Sequence, residues 1–195
     1  LSLLSDLVYL RRPLTTMIFV ALTALFLGLY LWVLRLAAAK KIAGAQVWRL
    51  IFIGMVILLF SFPAFSYDIF NYLATAKVTF FYRENPYLVM PIEFSGEPML
   101  KFTHAANKIA LYGPAWILLT AVPHLAGLGN IVLTVFTFKA LVALFYLGAS
   151  YLVWLISGHS VWALAFFALN PLVVIETLNS GHNDIVMVFF TLLAL

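Results

Sequence analysis

The chain has 195 residues, 65% of them hydrophobic and 9% charged, with a mean hydropathy of +1.09 and a formal net charge of +4. This excludes a water-soluble globular domain and reads as an all-α polytopic membrane protein. No cysteine is present, which excludes thiol catalysis, disulfides and thiolate metal sites, and the basic residues are placed as a membrane loop rather than as a nucleic-acid surface.

Residues 14–34 and 47–65 form the first two apolar runs, each close to the ~20 residues that cross a bilayer core. Arg35, Lys40, Lys41 and Arg49 lie between them with no acid, against Arg11 and Arg12 ahead of the first run. The excess places that loop inside the cell and Asp68 outside, in a multi-pass protein of the cell membrane. The first run is too long for the core of a signal peptide and lacks a small-x-small exit. A start on Leu and an end at TLLAL, inside an apolar run, make the chain read as a single transmembrane domain, 1–195, from an incomplete fragment.

Residues 66–130 read as an ordered external loop carrying juxtamembrane or re-entrant helices, with Lys77, Arg83, Lys101 and Lys108 balanced by Asp68, Glu84, Glu93 and Glu97. Positions 67–81 predict an amphipathic helix lying in the interface, on which Asp68 and Tyr72 share a face. Pro86 and Pro91 then break RENPYLVMP into turns.

The segment 112–128 decides the topology. If it crosses, the GHND sequence at 181–184 lies on the opposite side from Asp68. If it stays in the loop, 131–156 crosses inward, 157–160 turn, 161–175 return, and GHND emerges beside Asp68. The second count is preferred, because Pro114, Pro123 and His124 resist burial in lipid.

Asp68, Lys139, Glu176 and Asp184 then stand at or below one membrane face, with His182 and Asn183 beside them. Such a cluster suits a lipid-linked substrate: a carboxylate accepts the proton of a sugar hydroxyl and a cation stabilises a phosphate leaving group. Each member has a plainer reading. Asp68, preceded by Ser66, suits a helix cap; Lys139 suits a snorkelling lysine as well as a cation facing an external cavity. His182 and Asp184 as metal ligands would be only two side chains in a loop, and no DxD or glycine-rich phosphate loop is present, so no metal or cofactor is expected. Glu176 either pairs with a cation or borders the cavity. His104 reads as a solvated loop residue, and His124 and His159 as residues flanking turns. Trp32, Trp48, Trp116, Trp154 and Trp162 read as interfacial anchors, and Gly148 as a helix-packing position.

SYDIFNYLATAK, then ENPYL, LYGPAWILL, a basic residue in the following helix, and ALNPLVVIETLNSGHNDIVM resemble, in order and spacing over residues 60–195, membrane glycosyltransferases of the GT-C superfamily. The nearest likeness is to polyprenyl-phosphate-mannose-dependent mannosyltransferases of the alpha-1,6 type. The resemblance implies a GT-C-like transmembrane helix bundle with a long external loop. It implies Asp68 as the general base, with Tyr72, Lys139, His182, Asn183 and Asp184 contacting substrate. Tyr112, Gly113 and Pro114 match the short Pro-containing helix of the family's external loop. A polyprenyl-phosphate sugar is the implied donor, attacked by a glycan or glycolipid hydroxyl with inversion, and membrane lipid is the implied surrounding partner.

A transporter or lipid flippase would also carry membrane-embedded charges and Pro-broken helices, but the paired internal repeat usual in transporters is absent. A non-catalytic assembly subunit is the remaining class, in which Asp68 would be a cap alone.

Overall fold

A computed structural model describes residues 12–195 and, among those residues, contains helices and turns with no strand. Arg11, one of the two basic residues expected ahead of the first span, lies outside the described residues. Helix α1 is Arg12–Ala38 and α2 is Gly44–Leu59, and after a non-helical segment α3 runs Asp68–Phe80. The loop that follows carries two 3-10 turns, Pro91–Glu93 and Pro98–Lys101, and two short helices, α4 (Pro114–Leu119) and α5 (Ala121–Ala126). Helix α6 is Ile131–Ile156, α7 is Val161–Ala168, α8 is Pro171–Val174 running into a π-helical turn at Ile175–Asn179, and α9 is Asp184–Leu193.

Two helices, α1 and α6, are long and apolar enough to cross a membrane. A third span forms if α7 and the α8 segment, bent by 51° at their junction, count as one. The bend has a local cause. Pro171 lacks an N–H to continue the helix, and the Asn170 side chain accepts from Leu172 N at 3.0 Å to start a new one. The described chain is therefore a membrane-associated helical bundle. Its outer faces suit lipid: α1 leaves Met17, Phe19, Phe26 and Trp32 exposed, as a helix does when its solvent is apolar.

The second apolar run differs from the expected 47–65. Helix α2 starts three residues earlier and stops at Leu59, so its 16 residues span about 24 Å, short of a ~30 Å core. Pro63 disfavours helical geometry at the residue before it, and Ser61 turns its hydroxyl back to the Leu58 carbonyl at 2.7 Å.

Within a bilayer, helices associate through close packing rather than through transfer from water, so small residues mark their contacts. Ala149, Ala165 and Ala168 are fully buried where α6 meets α7. A Cβ on Gly148 would come within 2.6 Å of the Phe189 ring, which makes Gly148 the packing position of α6 against α9. Tyr146 adds a hydrogen bond at this centre, donating to the Ala168 carbonyl at 2.6 Å.

The contacts also fix the helix directions. Gly44, at the start of α2, lies against Trp154, near the end of α6; Leu58, at the end of α2, meets Lys139, near the start of α6. The two helices are antiparallel. Asn179, at the end of the return through α7 and α8, donates to Ser61 Oγ at 3.0 Å, so the return reaches the same end of the bundle as the close of α2. The segment 112–128 consists of two six-residue helices, each far too short to span.

Helix α3 forms at the expected place but lies deeper than an interfacial helix. Every residue at positions 69–76 is buried, because the loop that follows α3 and the helices beside it pack over it. Lys77 Nζ and Glu97 Oε2 meet at 2.6 Å, and Tyr82 donates to the other oxygen of Glu97, stapling the loop to α3.

Candidate active site

Asp68 is the first residue of α3, where an acid favours the positive end of the helix dipole. Its carboxylate accepts from Asn71 Nδ2 rather than from a first-turn amide, and the N-cap residue Tyr67 makes no side-chain cap. Ser66 accepts instead from Asp68 N at 3.1 Å. The carboxylate is held sideways: Asn71 Nδ2 donates to Oδ1 at 3.2 Å, and Asn71 is itself fixed by Ala105 N, which donates to its Oδ1 at 3.1 Å. Asp68 remains 45% exposed at the end of the bundle.

The GHND sequence approaches from the opposite wall. The π-helical turn ends on Gly181 with φ +74°, a conformation that glycine adopts without cost, and a Cβ there would lie 3.1 Å from Ile69 of α3. The reversal lets His182 N donate to the Glu176 carbonyl at 3.0 Å, which folds the imidazole back over the Glu176 side chain. Nδ1 lies 3.2 Å from Glu176 Oε2 and 3.9 Å from Asp184 Oδ2, and Nε2 lies 3.7 Å from Asp68 Oδ2. One imidazole thus stands among three carboxylates contributed by α3, the π-helical turn and α9. Asp68 and His182, 114 positions apart in the chain, meet at one end of the bundle as the preferred topology expects.

Tyr72, expected to contact substrate, lies against the GHND loop and the YGP element. It is 2% exposed, and its hydroxyl donates to Asn183 Oδ1 at 3.3 Å. Its ring packs edge-on against Tyr112 at 4.6 Å and Trp116 at 5.2 Å, and stacks on Phe138 at 5.7 Å. The YGP element is therefore the back wall of the helix that carries Asp68. Trp116 is buried in this cluster, edge-on to Tyr72 and Phe138, rather than anchored at an interface. Burial, with the negative charge of Asp68, pushes the Tyr112 phenol up to about 12; burial first, then Tyr112 and Asp68, raises that of Tyr72 further. Both phenols remain protonated donors.

Lys139 also differs from the expectation that it faces an external cavity. It is 1% exposed, and its ammonium donates to the carbonyls of Leu58 at 2.5 Å and Ser61 at 2.7 Å and to Ser61 Oγ at 3.3 Å. It closes the C-terminal end of α2, where carbonyls lack helical partners and a cation suits the dipole. Asn179 joins this knot through Ser61 Oγ and the Phe62 carbonyl. Sequence reasoning missed Asn71, although its place three residues after Asp68 on one helix could have found it. Ser61 and Asn179 carry no comparable signal, since a π-helical turn is not legible in the residues that form it.

An apolar groove of about 270 Å³ lies between the close of α2, α3 and the start of α6, walled by Phe60, Phe62, Phe70, Phe102, Val132 and Phe136. Phe70 is two residues beyond Asp68, and its ring lies 5.8 Å from Tyr67, which stacks on His104 at 4.3 Å. His104 is thus a packed partner at the rim. His182 and Asp184 were also weighed as metal ligands; among the described residues no three His, Asp or Glu side chains are grouped so that they could hold a metal ion.

Helical spans, a folded-over loop and a solvent-open carboxylate facing a polar loop define a membrane-associated helical bundle with a polar cluster at one end. The family model for the alpha-(1->6)-mannopyranosyltransferase N-terminal domain matches residues 2–195, and the chain belongs to that glycosyltransferase family. No curated protein and no solved structure matches the chain. Membership answers the transporter and flippase alternative with a glycosyltransferase role.

Proposed function

We propose that the protein transfers a mannosyl group from a polyprenyl-phosphate donor to an acceptor hydroxyl at the external membrane face, with Asp68 as general base. The acceptor oxygen attacks the anomeric carbon in line, the bond to the lipid phosphate breaks with its electron pair leaving on phosphate, and Asp68 takes the hydroxyl proton. Inversion then yields an alpha product from a beta-linked donor.

The observation that carries this reading is the state of Asp68. Its carboxylate is free of capping duty, open to solvent and oriented by Asn71. The apolar groove that meets α3 at Phe70 is in keeping with a lipid-linked donor, because its wall would accept an isoprenoid chain. Asp184, Asn183 and His182 border the head-group side, while Tyr72 and Lys139 act from behind by holding Asn183 and the end of α2. Arg35, Lys40, Lys41 and Arg49 lie around the α1–α2 turn, whose α2 side meets the end of α6 away from Asp68, in keeping with an external site.

The test is transfer from labelled polyprenyl-phosphate mannose by the full-length protein in membranes. Asp68→Asn is expected to lower kcat by about 10²- to 10⁴-fold with insertion unchanged. Undiminished transfer by that variant overturns the base assignment.

A further inference from the structure

Resting on the reading of Asp68 as the base, we infer that His182 takes the proton onward from Asp68, and that Glu176 holds the imidazole in the tautomer able to receive it. Both are positioning residues that act through Asp68. Glu176 grips His182 twice, by its carbonyl accepting from His182 N at 3.0 Å and by its carboxylate 3.2 Å from Nδ1. A carboxylate 3.2 Å from Nδ1 favours a proton on that nitrogen, which leaves the lone pair on Nε2. Nε2 is closed off from solvent and has no hydrogen-bond partner. The nearest ionisable atom is Asp68 Oδ2, at 3.7 Å. Oδ1 of the same carboxylate is occupied by Asn71, so Oδ2 is the oxygen left to change partners.

Two lone pairs facing each other repel, which accounts for a gap wider than a hydrogen bond. A proton on Oδ2 turns the same pair into donor and acceptor. The orphaned buried nitrogen then gains the partner it lacks, which is favourable because an unpaired buried acceptor is costly.

The step balances without a co-reactant. The acceptor O–H bond breaks toward Asp68 as the new glycosidic bond forms and the phosphate leaves with the old bonding pair. The proton passes from Oδ2 to Nε2 and restores the carboxylate. The imidazolium is flanked by Asp68, Glu176 and Asp184, the charged groups that face it from α3, the π-helical turn and α9. Because Nε2 is itself closed to solvent, the proton leaves after the product departs by way of Asp68, whose side chain is 45% exposed to water, and both groups return to their starting state.

The experiment is steady-state transfer from polyprenyl-phosphate mannose to a short alpha-1,6-linked mannoside, with the full-length protein and its thermal unfolding measured alongside. His182→Gln is expected to lower kcat by about 10- to 100-fold with donor KM within twofold, a proton-transfer loss without a binding loss. His182→Ala is expected to regain activity with added imidazole, and Glu176→Gln to lower kcat by a smaller factor. Unchanged kcat in His182→Gln, or a raised donor KM at unchanged kcat, overturns the inference. So does a folded His182→Ala that imidazole does not rescue. If the His182 variants fail to fold, wild-type kcat in Glu176→Gln overturns it. Asp68→Asn separates the two readings: its inactivity beside a fully active His182→Gln removes only the proton relay, whereas its full activity removes the base itself.

Discussion

Tyr72 donates its hydroxyl to Asn183 at 3.3 Å, joining the helix that begins at Asp68 to the loop that carries His182 across 111 positions of chain. This bond, made inside an aromatic cluster, is what keeps the two halves of the site in register. A small displacement of either half would move Asp68 relative to the imidazole, and reacting groups misplaced by about 1 Å lose rates of order 10²-fold.

Tyr72→Phe keeps the ring packing and removes only the hydroxyl. The expected cost is about 1 kcal/mol of stability, with a several-fold drop in transfer. Because burial raises the phenol above its ordinary value, the hydroxyl's contribution is present in full below pH 10 and is lost only as pH rises through the raised folded value. Thermal unfolding in detergent should therefore show the same difference between wild type and variant at pH 7 and at about pH 9. A difference that vanishes at the higher pH would contradict it.

Lys139→Met takes the ammonium from the Ser61 carbonyl and leaves the Leu58 carbonyl with the Ser61 hydroxyl. The expected loss is about 1–3 kcal/mol of stability, read as faster thermal inactivation. Donor KM is expected to stay within about twofold, since the ammonium is enclosed. A KM rise with normal stability would instead mark a cation that reaches the phosphate.

Gly181→Ala places a side chain at φ +74° and within 3.1 Å of Ile69. The strain is about 1–2 kcal/mol, and its relief must shift the turn that presents His182. Transfer is expected to fall more than stability does, with Asp68 untouched. Equal activity in the variant would show that the turn tolerates the change.

Glu97 carries the loop staple. Burial alone would raise its carboxyl, but hydrogen bonds from Lys77 and Tyr82 outweigh burial and hold it below the ordinary carboxylate range. Its stabilisation is present above the ordinary value of about 4.5 and fades as pH falls through the depressed folded value. Glu97→Gln is expected to cost about 1.5 kcal/mol in loop closure, read as faster proteolysis between residues 82 and 101 at pH 7. Below about pH 3 the two proteins should be cut at similar rates.

Several features were legible because they depend on local chemistry. The apolar run over α6, the short Pro-containing segment and the α3 helix each follow from residue type within a turn or two, whereas the expected runs 47–65 and 161–175 pass through the breaks at Pro63 and Pro171. The pairing of Asp68 with GHND followed from counting crossings, which needs only span lengths and the three residues that resist lipid. The orientations of Tyr72 and Lys139 were not legible, since a tyrosine one turn from Asp68 and a lysine two turns into α6 look alike whether they face a cavity or a neighbour. The same holds for Trp116, whose burial depends on rings far away in sequence.

The residues alone determined that this chain belongs in a membrane, that its polar chemistry gathers between Ser66 and Asp184, and that Asp68 is the acid to explain. Those conclusions rest on transfer free energies and local backbone preferences, which act residue by residue. Only the tertiary structure decided that Ser66 rather than Asp68 serves the helix start, that Lys139 closes α2, and that Glu176 and Asp68 face opposite nitrogens of one imidazole. The closing of α2 by Lys139 and the approach of Asp68 to His182 bring groups together across more than 70 positions of chain, and partners at that separation are chosen by packing.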